Sequence, residues 1–474
     1  MSGKRKIEVL KLPTLPSRPC LEDRISEAAV FKMVGRVSAV TGDAIELEGM
    51  SVPLGAICLL TTQSRKQVKG RVIGFRGLNP ILSPLESLES VAAGDTVELV
   101  DYQQYLWVGD SLCGRVVDAF GQPLDGQKLP SNLSSIKAER EPPASLDRRP
   151  INHRFSTGVK LIDACLTCGR GQRLGVFAGS GIGKSTLLGM LANGSEADRI
   201  VIAMVGERGR EVQEFIQNIL GDEGLSRSVV VVATSDKPAA QRVAAAWTAT
   251  SIAESFRDEG HHVLLLFDSI TRFAMAQREL GLASGEPPTT KGYPPSAFQA
   301  LPRLVERAGC NAIGAITAFY TVLVEGDDQQ EPIADALRGL LDGHIVLSRD
   351  LAEEFMYPAI DLLQSISRLQ PRLVDQVLAD AVGELRRLMA IYRRNADLIT
   401  IGAYRRGSDK SIDAAILVHE LFKKFATQDS SESVDLIDAQ NMLIELVNSL
   451  AHDGSTSQGL ITSQFDPIGT SVDL

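Results

Sequence analysis

The sequence contains little cysteine and no long hydrophobic run. Its six cysteines are spread over 474 residues, which is too few for a disulfide framework, so we expect a reducing compartment such as the cytoplasm. Cys165 and Cys168 form a CxxC pair, but no second pair or nearby histidine completes a zinc site, and we interpret both as ordinary thiols. The basic amino terminus has no apolar core behind it, which predicts no signal peptide. Because the apolar runs are no longer than single strands, we expect any membrane association to be peripheral.

Aromatic residues are also scarce, and the 59 acidic residues outnumber the 49 lysines and arginines. The formal net charge of −10 at pH 7 counts against a protein whose main task is to bind nucleic acid through a basic surface. Between residues 26 and 100 the aromatic residues are Phe31 and Phe75, whereas an oligonucleotide-binding barrel needs aromatic side chains for base stacking. We therefore predict no nucleic-acid partner and a structural role for this region.

A glycine-rich stretch follows an apolar strand and precedes a predicted helix. It comprises Gly179, Ser180, Gly181, Ile182, Gly183, Lys184, Ser185 and Thr186. The glycines allow consecutive backbone N–H groups to surround an anion, and the helix directs the positive end of its dipole at the same point. Lys184 adds a positive charge, and the Ser185 hydroxyl occupies the position of a Mg²⁺ ligand. The stretch predicts a phosphate-binding loop that holds a nucleoside triphosphate with its metal.

Hydrophobic patterns divide the chain into five predicted regions. These are a flexible docking arm (1–25), a small β-barrel (26–100), a phosphate-loop ATPase domain (101–372), a helical domain (373–452) and a disordered tail (453–474). Continuous apolar runs after residue 161 predict a parallel sheet covered on both faces, so the fold class is α/β. Residues 101–160 are interpreted as loops that lead into this sheet. A long amphipathic helix is predicted from residue 374, and Ser411 and Ser433 are predicted to cap two further helices.

Phosphoryl transfer to water needs an acidic metal ligand and a group that orients the attacking water. One apolar strand ends in Asp268, and parallel strands place functional groups at their carboxyl ends, so Asp268 is the predicted second Mg²⁺ ligand. Another strand ends beside Glu207, which we predict to be the catalytic base. Glu211 is the competing acid. Arg208 is expected either to reach the terminal phosphate or to hold Glu207 in place.

Several further stretches resemble the ATPases of flagellar and type III protein export, a family homologous to the catalytic subunit of rotary ATP synthases. They are residues 206–212, 268–274, 285–288, 292–296 and 319–328. The resemblance implies a recombinase-type fold, a homo-hexameric ring, and ATP hydrolysis that drives the delivery and unfolding of export substrates. It also implies several partners: an export regulator or stator-like protein at the amino-terminal arm, a stalk protein, a membrane export gate, and export substrates with their chaperones.

The same resemblance implies roles for three more residues. Tyr357 matches the aromatic residue that stacks on adenine, although a tyrosine packed before a proline would have the same sequence. Arg368 matches an arginine that is donated across a subunit interface, which makes it the fourth predicted catalytic residue beside Lys184, Glu207 and Arg208. Tyr404 is a candidate for the other wall of the adenine pocket.

Three other functions share much of this chemistry. A virulence-injectisome ATPase would look nearly the same, and we favour the flagellar branch on overall similarity. A rotary synthase subunit should carry an acidic lever segment in its helical domain, and none is evident in the sequence. A hexameric RNA translocase is disfavoured by the acidic net charge and by the aromatic-poor barrel.

Overall fold

A computed structural model describes residues 32–86, 91–324 and 331–453. The predicted arm and all but the first residue of the predicted tail lie outside the described residues, as do residues 325–328 of one motif. Within the described ranges, the helices are all too short or too polar to cross a membrane.

The amino-terminal region is a closed barrel of six described strands. They are β1 (Val34–Thr41), β2 (Ala44–Glu48), β3 (Ile57–Thr61), β4 (Gln67–Arg76), β5 (Asn79–Pro84) and β6 (Thr96–Asp101). Their order around the barrel is β1-β2-β5-β4-β3-β6. Buried and exposed positions alternate over the first four residues of β1, because successive side chains of a strand point to opposite faces. Gly42 takes a φ of 56° in the turn between β1 and β2, a conformation that glycine adopts without strain. The predicted β-barrel is confirmed.

The segment after the barrel contains strands, so its interpretation as loops is wrong. These strands are β7 (Tyr105–Val108), β8 (Arg115–Asp118) and β9 (Ser134–Lys137). β7 pairs with β9, whereas β8 adds a parallel edge strand to the main sheet. The apolar part of β8 is only Val116 and Val117 between two charged residues, which is too short to be recognised as a strand. β8 becomes a strand through its long-range pairing with the main sheet.

The main sheet comprises nine strands within the described residues. After the short pair β10 (Arg154–Phe155) and β11 (Cys168–Gly169), the remaining strands are β12 (Arg173–Ala178), β13 (Arg199–Val205), β14 (Ser228–Ala233), β15 (His262–Asp268), β16 (Gly309–Cys310), β17 (Ala315–Leu323), β18 (Gly343–Val346) and β19 (Ile366–Ser367). The order is β19-β18-β12-β17-β15-β13-β14-β8, with β16 pairing to β17. All neighbours from β18 to β8 in this order are parallel, which confirms the predicted parallel sheet.

Helices cover both faces of the sheet. They are α1 (Lys160–Cys165), α2 (Lys184–Gly194), α3 (Gly209–Glu214), α4 (Gly221–Ser226), α5 (Ala239–Asp258), α6 (Ile270–Ala283), α7 (Pro295–Val305), α8 (Pro332–Leu340), α9 (Arg349–Glu353), α10 (Gln370–Leu373), α11 (Gln376–Thr400), α12 (Lys410–Ala426) and α13 (Leu436–Asp453). Val201 and Ala203 of β13 pack with α5 to α8, whereas Ile200 and Ile202 pack with α1, α2 and the last three helices. This alternation explains why the strand is apolar along its whole length. Cys165 and Cys168 are free thiols, and both are buried in the core that contains Ile200 and Ile202.

The carboxyl-terminal region is helical, as predicted. α11 is the expected long amphipathic helix, and the Asp375 carboxylate caps it by accepting from Leu378 N. The predicted cap at Ser411 is wrong because Asp409 takes that place, and its carboxylate accepts from the backbone N–H groups of the first turn of α12. The predicted cap at Ser433 is also wrong, because α13 begins at Leu436 and the carboxylate of the preceding residue, Asp435, accepts from Ile437 N at 2.8 Å.

Candidate active site

The glycine-rich stretch joins the carboxyl end of β12 to α2, as a phosphate loop should. Gly181 and Gly183 have φ angles of 78° and 90°, a region that L side chains rarely adopt, so both positions require glycine. Lys184 is the first residue of α2. The loop therefore presents backbone N–H groups, a helix amino terminus and a lysine at the same edge of the sheet.

Two carboxylates meet Lys184 at this edge. Asp268 ends β15, and Glu207 lies two residues beyond β13, the neighbouring strand. Lys184 Nζ lies 2.5 Å from Asp268 Oδ1 and 3.6 Å from Glu207 Oε1. Asp268 and Glu207 are only 3% and 7% exposed. Thr321 of β17 also donates to Asp268 Oδ1, at 2.6 Å. Three strands thus bring an acid, a second acid and a hydroxyl to the phosphate loop.

The protonation of this cluster follows from its burial. Burial and the neighbouring Asp268 carboxylate raise the pKa of Glu207, although Lys184 and Arg272 oppose the change. Burial alone would lower the pKa of Lys184, but the attraction of Asp268 and Glu207 outweighs it and raises that pKa. Glu207 Oε1 is buried and has no hydrogen-bond partner in the structure. The cluster therefore holds a protonated lysine beside a carboxylate that has the raised proton affinity of a general base.

Two arginines that the sequence analysis did not single out also face the site. The side chain of Arg272 passes over Gly206, where an added Cβ would lie 2.8 Å from Arg272 Cβ. Its Nε atom is buried without a hydrogen-bond partner, and its charge acts on Glu207. Arg349 of α9 donates to the carbonyl of Ser180 in the phosphate loop at 3.3 Å. Arg272 lies within the motif 268–274, so the sequence did mark it as part of a characteristic stretch. The position of its side chain could not be predicted, because it depends on how α6 leaves β15.

The two tyrosines considered for the adenine pocket occupy different settings. The Tyr357 ring lies against the phosphate loop, since a Cβ on Gly183 would be 3.4 Å from its Cδ1 and Cε1 atoms. Tyr404 lies in the connection between α11 and α12, where its hydroxyl donates to Asp409 O at 2.8 Å and to Asp413 Oδ1 at 3.0 Å.

The structure does not bring the other two predicted catalytic residues to the cluster. Arg208 is 78% exposed at its side chain and pairs with Glu211 at 3.5 Å. Arg368 N donates to Asp342 O, and Asp342 N donates to the carbonyl of Arg173, the first residue of β12. Arg368 therefore lies at the amino end of β12, whereas the phosphate loop follows its carboxyl end. The Arg368 guanidinium is exposed and donates to Arg338 O at 2.9 Å.

Comparison with known proteins places this site in a family. The family model "ATP synthase alpha/beta family, nucleotide-binding domain" matches residues 158–367, and the model "T3SS EscN ATPase C-terminal domain" matches residues 374–445. The flagellum-specific ATP synthase of Bacillus subtilis (strain 168) is 52% identical over 414 residues, which cover 87% of this chain and 94% of the relative. The chain belongs to the family of flagellar and type III secretion ATPases.

Other members of this export ATPase family agree with the assignment. The type 3 secretion system ATPase of Xanthomonas euvesicatoria is 44% identical, and the match covers 91% of this chain and 97% of the relative. The assembled ATPase EscN of the enteropathogenic E. coli type III secretion system superposes with a TM-score of 0.83 at 43% identity, covering 87% of this chain and all of EscN. EscN in complex with its central stalk EscO superposes with a TM-score of 0.79 at 42% identity, over 87% of this chain and all of that chain.

The predicted resemblance and fold class are therefore confirmed. The match in the helical region is to the EscN-type carboxyl-terminal domain, and this region is where a rotary synthase subunit was expected to differ.

Proposed function

We propose that this chain is the ATPase of the flagellar protein export apparatus and works as a homo-hexameric ring. The main support for this proposal is the arrangement of charged residues at the two ends of β12. Lys184, Asp268 and Glu207 form a buried cluster at its carboxyl end, and Arg368 is exposed at its amino end. Each chain thus presents an active site at one end of the strand and a candidate catalytic cation at the other.

In this proposal the phosphate loop binds ATP through its backbone N–H groups and Lys184. Glu207 orients the attacking water and accepts its proton, and Tyr357 stacks on the adenine. Ser185 and Asp268 would hold Mg²⁺, because hydroxyl and carboxylate oxygens are the hard donors that this ion prefers. When bound, the metal neutralises charge on the phosphates. We assign no catalytic step to Arg208, since its guanidinium is exposed and pairs with Glu211.

Arg368 acts on the neighbouring subunit. Head-to-tail packing brings the amino end of one sheet to the carboxyl end of the next, and a contact of this kind forms a ring when its rotation closes after six copies. An arginine supplied in trans stabilises charge on the transferring phosphoryl group and is worth about 10³ or more in rate. The isolated chain should therefore be a poor enzyme, and assembly should complete the site.

The mixing of two inactive variants tests this arrangement. Lys184→Ala removes the phosphate-binding lysine but keeps Arg368, and Arg368→Ala does the opposite. We expect each variant to be inactive alone and their mixture to recover part of the activity, because mixed interfaces combine an intact site with an intact arginine. No recovery would show that Arg368 does not act in trans. The wild-type rate per subunit should also rise steeply with protein concentration.

The flagellar assignment and the partners complete the proposal. The flagellum-specific ATP synthases of Bacillus subtilis and Salmonella typhimurium are 52% and 48% identical to this chain, compared with 44% for the type 3 secretion system ATPase of Xanthomonas euvesicatoria. By analogy with EscN and its stalk EscO, we propose a stalk protein in the ring. We also propose a regulator or stator-like protein at the amino-terminal arm, and delivery of chaperone-bound substrates to a membrane export gate from the cytoplasmic side. A deletion strain that still builds filaments and swims would favour the injectisome function, and RNA-stimulated hydrolysis would favour an RNA translocase.

A further inference from the structure

A continuous segment connects the two ends of the sheet that the proposed mechanism uses. We call residues 357–368 the interface strap. It begins with Tyr357, whose ring lies against Gly183 of the phosphate loop. It ends with Arg368, whose backbone N donates to Asp342 O at 3.0 Å at the start of β18. One segment therefore runs from the chain's own nucleotide site to the arginine that serves the next subunit.

Hydrogen bonds hold the interface strap along β18. Asp361 N donates to Val346 O at 2.8 Å, and Val346 N donates to Ser365 Oγ at 2.9 Å. Ser365 Oγ in turn donates to Asp361 O at 2.6 Å. Next to Arg368, Ser367 Oγ donates to Thr167 O at 2.8 Å. These bonds fix the backbone of the strap up to the residue before Arg368.

Asp361 organises the middle of the interface strap. Its side chain is buried, with 5% exposure. Its carboxylate accepts from Leu363 N at 2.9 Å, from Gln364 N at 3.1 Å and from Gln364 Nε2 at 2.7 Å. These neutral donors stabilise the carboxylate, and a cation beside it stabilises it further, because an uncompensated buried charge is costly.

The cation comes from the helical region. Arg393 of α11 donates through Nη2 to both carboxylate oxygens of Asp361, each at 2.8 Å. Arg386, two turns earlier on the same helix, donates to Ser365 O at 3.0 Å. Residues seven apart lie on one helix face, so α11 contacts the strap at two points along that face.

We infer that Arg393 is a positioning residue, which acts through Asp361 and the interface strap to aim Arg368 at the active site of the next subunit. The inference rests on the proposed trans role of Arg368. A shift of α11 is transmitted to Asp361 as a shift of the strap, because the Asp361 carboxylate is buried and bonds both to Arg393 and to the strap backbone. The helical region of one subunit thereby sets the hydrolysis rate of its neighbour. The effect can be large, because misplacement of a catalytic group by about 1 Å can lower the rate 10²-fold.

Arg393 suits a mutational test because its side chain is 52% exposed. The buried face of α11, including Leu378, Leu385 and Leu388, packs without it, so we expect Arg393→Ala to keep the helix packed while Asp361 loses its cation and the protein loses some stability. Within a homomeric ring we expect this variant to lower kcat by about tenfold and to leave KM within about twofold, the pattern of an interaction that matters in the transition state. Arg393→Lys should recover part of the loss, since an ammonium group still carries the charge.

The decisive experiment uses the mixture of Lys184→Ala and Arg368→Ala chains, with Arg393→Ala added to one partner at a time. On the Lys184→Ala chain, which donates Arg368, it should lower the recovered rate by about tenfold or more. On the Arg368→Ala chain, which provides the active site, it should have less than about a twofold effect. Arg394→Ala on the donating chain is the matched control, because Arg394 is the next residue of α11 and bonds to Ala390 O within its own helix.

The outcomes separate the two proposals. If the parent mixture recovers no activity, the trans role of Arg368 is wrong and the inference falls with it. If the parent mixture is active but Arg393→Ala acts equally on both partners, or on neither, the inference is wrong and the trans role stands. An equal loss with the Arg394→Ala control would also overturn it, since a general change of α11 would then explain the effect.

Discussion

Lys184 Nζ donates to Asp268 Oδ1 at 2.5 Å, so the phosphate-binding cation and the proposed metal-binding carboxylate contact each other directly. Each group neutralises the other in a buried place where an isolated charge would be costly. If Lys184 and Asp268 hold the triphosphate and Mg²⁺ as proposed, we expect ligand binding to replace this contact, because Lys184 would pair with the phosphates and Asp268 would be a ligand of the metal. In that case the phosphates would take the place of Asp268 beside Lys184, and the metal would take the place of Lys184 beside Asp268.

Asp268→Asn should uncouple nucleotide binding from Mg²⁺. The amide keeps an acceptor oxygen for Lys184 and Thr321 but loses the charge that attracts the metal. We expect turnover to fall by about 10²–10³ and ATP affinity to become insensitive to Mg²⁺. Titration of a fluorescent ATP analogue with Mg²⁺ and with a chelator measures this. Thr321→Val is the control: it removes the hydroxyl but leaves the carboxylate, so its Mg²⁺ dependence should persist. Persistence in Asp268→Asn would place the metal ligand elsewhere.

Glu207→Gln should abolish turnover, keep ATP binding and stabilise the fold. The pKa of Glu207 is raised above its ordinary value of 4.5 by burial and by Asp268, so the folded protein disfavours the ionised side chain. Its protonated form contributes stability that is complete below the unfolded pKa and is lost as pH rises through the folded pKa. Glutamine imitates the neutral form at every pH. At pH 7 the variant should therefore melt at a higher temperature than the wild type, which calorimetry measures.

The same raised pKa predicts the pH dependence of the wild type. A general base must be ionised, so kcat/KM should fall as pH decreases through the folded pKa of Glu207. The midpoint of this acid limb should lie above 4.5. A midpoint at or below that value, or turnover by Glu207→Gln, would move the catalytic role to Glu211 or another acid.

Tyr357→Ala should weaken ATP binding by about 1–3 kcal/mol, the usual contribution of a base stacked on an aromatic ring. Tyr357→Phe keeps the ring and should bind nearly as well as the wild type. Equilibrium titration with ATP and with inorganic triphosphate separates the effects, because triphosphate has no base to stack. An equal loss for both ligands would show that Tyr357 supports the phosphate loop, which its ring contacts at Gly183.

The parts of the site that follow local rules could be predicted from the sequence. The phosphate loop is a contiguous motif, and Asp268 and Glu207 follow apolar strands, so the parallel topology alone brings them to one edge. The position of the Arg272 side chain over Gly206 and the pairing of Arg393 with Asp361 could not be predicted in this way. Asp361 and Arg393 are 32 residues apart in sequence, and they meet only because α11 lies against the interface strap. The cap at Asp409 was missed because Ser411 also has a side-chain oxygen that can accept from the N–H groups at a helix start.

The buried ion pair between Glu254 and Arg307 should contribute to stability and not to catalysis. Arg307 Nη2 lies 2.6 Å from Glu254 Oε2, and both side chains are about 1% exposed. Arg307 also donates to Ser251 Oγ at 2.6 Å, which links α5 to the end of α7. Glu254→Gln leaves the guanidinium buried without its direct counter-charge, and we expect the free energy of unfolding to fall by about 3–5 kcal/mol.

Denaturant titration of Glu254→Gln measures this loss, and the KM for ATP should stay unchanged because the pair lies outside the nucleotide site. The matched control is Glu384→Gln on α11, which breaks an exposed pair with Arg387. Exposed pairs contribute only about 0–1 kcal/mol, since water screens them and their side chains lose entropy. Equal losses in the two variants would mean that burial adds nothing to the Glu254 pair, contrary to the desolvation cost of leaving Arg307 unpaired.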